Sequence, residues 1–93
     1  MQIANITAIG PSSTAAWAGG LGNLTLGGNF GGDNAIVEYK KTGTSTWFPL
    51  EFVWTRNQGF NVSLPGCDIR VNVEDKADEG SLDLTLDYDL INL

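Results

Sequence analysis

A chain of 93 residues with 42% apolar content, three Trp, four Phe and two Tyr is long enough for one hydrophobic core, too short for a second domain and too aromatic for disorder. Eleven acids against five bases give a net charge of −6, which opposes a polyanionic partner, so nucleic acid is not expected. The chain contains no His, which removes the commonest general base, the usual serine triad and most zinc sites together.

The first ten residues, MQIANITAIG, hold no basic stretch and no long apolar run, so neither a signal peptide nor a membrane association is expected. The Asn-x-Ser/Thr triplets at Asn5, Asn23 and Asn61 then read as coincidences of an Asn- and Thr-rich chain. Ile3, Ile6 and Ile9 read as an N-terminal strand. Ser12 to Ala18 offers a Ser cap, three alanines and Trp17, and reads as a loop or a single helical turn. No Asp, Glu, Lys or Arg precedes Asp33, and eight of the twelve glycines lie between Gly10 and Gly32. Residues 1–32 are therefore expected to act as an uncharged contact arm. Trp17 and Leu21 are its best contact candidates, with Phe30 and, further on, Trp54 as additional partner-interface residues.

From Leu21 onward the apolar period is two. Leu24 and Leu26 alternate ahead of Gly27, then Ala35, Val37 and Tyr39 face inward with Glu38 and Lys40 outward. In TWFPLEFVW, Phe48, Leu50, Phe52 and Trp54 share a face, and Pro49 demands an edge or a strand start. Trp47 and Trp54 are seven residues apart, on opposite faces of a regular strand, and packing of both into the core around a bend at Pro49 is expected. Phe60, Val62 and Leu64 form the next strand; Ile69, Val71 and Val73 alternate with Arg70 and Asn72. In SLDLTLDYDL, Leu82, Leu84, Leu86, Tyr88 and Leu90 face one way, and Asp83, Thr85, Asp87 and Asp89 the other. Those aspartates discourage pairing with other chains. Turn signals at Thr42-Gly43, Asn57-Gln58-Gly59, Pro65-Gly66 and Asp78-Glu79-Gly80 recur roughly every 8 to 12 residues, the spacing of an all-β protein. The expected fold is a small antiparallel β-sandwich, jelly-roll or immunoglobulin-like, of about 7 to 8 strands.

The chemistry-bearing candidates fail on spacing. GGNFGGD has neither the phosphate-loop nor the dinucleotide-loop pattern, and a strand follows it where a helix N-terminus is needed. Gly27, Gly28, Gly31 and Gly32 instead suit positive φ in a hairpin or bulge. Glu74, Asp75, Asp78, Glu79 and Asp83 lie in a hydrophilic turn where nothing would raise a carboxyl pKa, and Lys76 interrupts the alternation an EF-hand loop requires. Cys67 is alone and reads as a small core hydrophobe. No catalytic residue, cofactor or metal is expected.

The order Leu24-Thr25-Leu26-Gly27-Gly28-Asn29-Phe30-Gly31-Gly32, a strand over Ala35 to Lys40, a Gly43 turn and Trp47 resembles a pattern in small structural proteins of tailed bacteriophages. Gly59-Phe60-Asn61-Val62-Ser63-Leu64-Pro65-Gly66, followed by Ile69-Arg70-Val71, resembles the second half of that pattern. The turn Lys41-Thr42-Gly43-Thr44 departs from it, as does the Asp-rich C-terminal strand. The resemblance implies a non-enzymatic β-sandwich that decorates or cements a capsid. It implies a place on the virion exterior after synthesis in the host cytoplasm, with the major capsid protein as partner and a homotrimer as the assembled form. A phage tail or fibre module, or a carbohydrate-binding β-sandwich presenting an aromatic platform, is the alternative.

Overall fold

The computed structural model describes residues 1–50, 53–75 and 81–91. Within them nine strands form two antiparallel sheets: β1 (Gln2–Ile6), β2 (Gly10–Pro11), β3 (Ala15–Trp17), β4 (Gly20–Asn29), β5 (Asn34–Lys41), β6 (Phe48–Pro49), β7 (Gln58–Leu64), β8 (Cys67–Glu74) and β9 (Asp83–Leu90). One sheet has the order β1-β9-β4-β7; the other has β2-β8-β5-β6, with β3 also paired to β8. The chain is an all-β sandwich; Phe52 and the turn expected at Asp78-Glu79-Gly80 lie outside the described residues.

The period-two reading places the core. Leu24 and Leu26 of β4 and Leu84, Leu86 and Tyr88 of β9 meet Ala35 and Val37 of β5 and Cys67, Ile69, Val71 and Val73 of β8, all buried. Alternation puts every second side chain between the layers, where apolar burial stabilises by about 25 cal/mol per Å². β4 is bonded on both sides, to β9 and to β7, so removing it would divide the first sheet.

Residues 1–32 are built into both sheets, which corrects the reading of a contact arm. β1 pairs with β9, β2 and β3 pair with β8, and β4 is central. Ile3, Ile6, Trp17, Leu24, Leu26 and Phe30 all lie in the core. A charge-free segment reaches the interior as readily as a partner, because what it lacks is any charge to desolvate.

Ser12 to Ala18 is likewise no helical turn. Ser12 donates its backbone N–H to Val71 O (2.7 Å) and accepts at Oγ from Val71 N (2.9 Å), so the hydroxyl fills a break in the β2–β3 edge. Trp17 then crosses from β3 to the other sheet and packs on Gly22, where an added Cβ would run into its Cη2 and Cζ2 atoms. Gly28, at φ 124°, lets β4 approach the Asp83 carbonyl, a contact any side chain would block. Gly31 and Gly32 also have positive φ, but Gly27 does not.

The segment after β5 departs most from simple alternation. Leu50 N–H donates to Val37 O (2.8 Å), and Trp54 exchanges both backbone bonds with Ala35 (2.7 and 2.9 Å). Leu50 and Trp54 thus bond to β5 residues only two apart. Leu50 and Trp54 are buried, while Phe48 is 50% exposed.

Candidate functional site

The outer faces of the two sheets differ in charge, and the register of each explains why. On the β1-β9-β4-β7 sheet, β9 presents Asp83, Asp87 and Asp89 opposite Asn29, Thr25 and Asn23 of β4. None of the four strands contains Lys or Arg. Asn23 Nδ2 donates to Asn61 Oδ1 (3.2 Å) and Thr25 Oγ1 to Asn23 Oδ1 (3.0 Å). This face is acidic and polar.

The other sheet turns its charges on each other. Register places Glu38 opposite Arg70 and Lys40 opposite Asp68, and opposite charges directly across a ladder stabilise it. Arg70 Nε donates to Glu38 Oε1 at 2.8 Å with side chains only 20% and 13% exposed, while Lys40 Nζ lies 3.6 Å from Asp68 Oδ2. The cover over the first pair is Trp47. Its ring centroid stands 4.0 Å from the Arg70 guanidinium carbon and 5.5 Å from Lys40 Nζ, a cation–π arrangement. Ile36, paired with Asn72 and half-buried, extends the face. The result is a platform of one indole, one aliphatic side chain and four charges that pair off.

The four expected interface residues are separated by the fold. Trp17 (3% exposed), Phe30 (8%) and Trp54 (0%) are buried, which leaves them no surface to offer a partner and corrects their assignment. They are the apolar bulk that closes a small core. Leu21 alone is exposed, on the outer face of β4 opposite Ser63. Trp47, expected inside, stands half-buried outside, as seven-residue spacing from a buried Trp54 allows. Glu38, Lys40 and Arg70 are legible as outward-facing; their pairing required the β5–β8 register.

The glycine stretch lines an open concavity of about 560 Å³ between Gly28–Gly32 and Thr55–Asn57. Two of its amides are satisfied by side chains, Gly28 N donating to Asn57 Oδ1 (3.0 Å) and Gly31 N to Asn29 Oδ1 (2.9 Å). The stretch is therefore a turn held by asparagines. A smaller hollow, about 150 Å³, lies between β1 and Pro11–Ser13. Burial, with a lesser push from Asp68, raises the Cys67 thiol pKa, which keeps it protonated and poorly nucleophilic. Among the described residues, no group of three or more His, Cys, Asp or Glu is placed to hold a metal, and no helix is long and apolar enough to cross a membrane. The chain matches no protein-family model, no curated protein and no solved structure.

Proposed function

We propose that this chain is a non-enzymatic virion structural protein that decorates a bacteriophage capsid from the outside, binding across major capsid protein subunits. The observation that carries the reading is the contrast between the two outer faces. A small domain displayed at high density needs one acidic face that stays in water and keeps copies apart, which β9 and its neighbours supply. It needs a second face that can be desolvated at low cost. The Trp47 platform is such a face, since its four charges neutralise one another and Trp and Arg are the residues most enriched in interface hot spots. The resemblance of the Leu24–Gly32 and Gly59–Val71 stretches to tailed-phage structural proteins points to the same class.

Co-sedimentation with shells assembled from the cognate major capsid protein tests this reading. Saturable pelleting is expected, lost on Trp47→Ala with the fold retained. Absence of pelleting, or undiminished pelleting of that variant, would count against it. Trp47 also favours a second reading, a carbohydrate-binding module, because a half-exposed indole anchored by a guanidinium offers a stacking surface for a sugar ring. Binding to a defined oligosaccharide on a glycan array, lost in the same variant, would select it.

A further inference from the structure

Four edges bound the two sheets, and three carry features that keep edge strands from pairing with other chains. β1 is interrupted by a register irregularity between Ile3 and Ile6, with Asn5 at φ 56°. The β2–β3 edge consists of two- and three-residue pieces and contains Pro11. β6 is two residues long and contains Pro49. β7 has none of these protections. It runs seven residues with no charge and no proline, in unbroken register with β4, and no strand lies beyond it among the described residues.

The register also shows where its hydrogen-bonding groups point. Leu21 O accepts from Ile91 N on the β9 side, so odd-numbered β4 residues bond toward β9 and even-numbered ones toward β7. Gly22 and Leu24 stand opposite Val62 and Phe60, which bond back to β4. The N–H and C=O groups of Gly59, Asn61 and Ser63 therefore point away from the sandwich.

We infer that β7 is a self-association edge, where two copies pair β7 with β7 antiparallel about a two-fold axis through Asn61. At this register the strand is self-complementary. Gly59 of one copy faces Ser63 of the other, Asn61 faces its symmetry mate, and Phe60 faces Val62. Three narrow pairs then exchange about six backbone hydrogen bonds. Trp54 meets Phe60 of β7 with ring centroids 5.4 Å apart, and the Phe60–Val62 pairs bring partly buried apolar side chains together across the contact. Charge does not oppose it. The β9 aspartate rows end up five strand spacings apart, about 24 Å at about 4.8 Å each, well beyond the Debye length of about 8 Å at physiological ionic strength. Such a contact is isologous and closes at two copies, where the phage resemblance implies three. It does not depend on what the platform binds.

Sedimentation of the intact chain over a rising concentration series tests the inference. The mass is expected to climb from 9.9 kDa toward twice that. Amide exchange at Gly59, Asn61 and Ser63 slows with concentration, while Phe60 and Val62 stay protected throughout. Asn61→Lys sets like charges against each other at the axis, and Asn61→Pro removes an outward N–H; neither touches a β4–β7 backbone bond. Each is expected to weaken association by about tenfold or more with an unchanged circular dichroism spectrum. Should the proline variant fail to fold, Ser63→Lys takes its place. A chain that stays monomeric to millimolar concentration, a dimer indifferent to these substitutions, or a threefold assembly would overturn the inference.

Discussion

Gly22→Ala is the sharpest test of how the two sheets are joined. The Trp17 indole lies over Gly22, and a methyl there would meet Trp17 Cη2, Trp17 Cζ2 at 2.6 Å and the Asp89 carbonyl oxygen at 2.5 Å. Overpacking of a core ordinarily costs about 1 to 3 kcal/mol. One obstacle here is backbone of the neighbouring β9 ladder and cannot rotate aside, so the upper end, about 3 kcal/mol, is expected. In a domain of this size each kcal/mol lowers Tm by about 4 to 8 °C, so the fall should exceed about 10 °C. Urea unfolding followed by tryptophan fluorescence measures it, and Trp17→Leu supplies the partner arm of a double-mutant cycle. With the ring gone, Gly22→Ala should cost less, giving a coupling of about 1 kcal/mol or more. A single-variant cost under about 1 kcal/mol, or strict additivity, would refute the packing argument.

Glu38→Gln removes the carboxylate that Arg70 engages at 2.8 Å under Trp47; stability should drop by about 1 kcal/mol, and Trp47 emission should shift as the guanidinium loses its anchor. Removing residues 1–20 takes away β1, β2 and β3 with Ile3, Ile6 and Trp17, so the remainder should show an unfolded circular dichroism spectrum; a folded remnant would restore the contact-arm reading. Cys67 should resist a thiol reagent at neutral pH until urea unfolds the chain, because burial holds its pKa above the ordinary 9.0. Since the folded pKa is the higher one, its contribution is complete below the unfolded value and is lost only as alkaline pH passes through the folded value, so stability near pH 7 should not depend on this group.

Much of the sandwich is legible in particular residues. Leu84, Leu86 and Tyr88 alternate with aspartates, and Ile69, Val71 and Val73 with Asp68, Arg70 and Asn72, and each apolar set is buried as alternation demands. Ala15–Trp17 escaped that reading because three residues are too few to display a period, and because the Ser12 hydroxyl replaces part of a ladder. The candidate site was half legible. Alternation placed Glu38, Lys40 and Arg70 outside, but which cation meets which carboxylate is set by β5–β8 register, and Trp47 reaches Arg70 only through a turn 41–44 closed by Thr44 bonds to Lys41 O.

By itself the sequence determined strand character, the inner and outer residues of the longer strands, and the concentration of charge after Asp33, because side-chain alternation is a property of extended backbone that needs no partner. The tertiary structure decided what the charge-free third does, where each tryptophan lies and which strand edge is left open. Those depend on how the assembled strands meet: Trp17 against Gly22 across the two layers, Ile3 against Leu86, and β7 with a neighbour on one side only among the described residues. An apolar residue has the same attraction for any apolar surface, and only the assembled sheets specify which surface it meets.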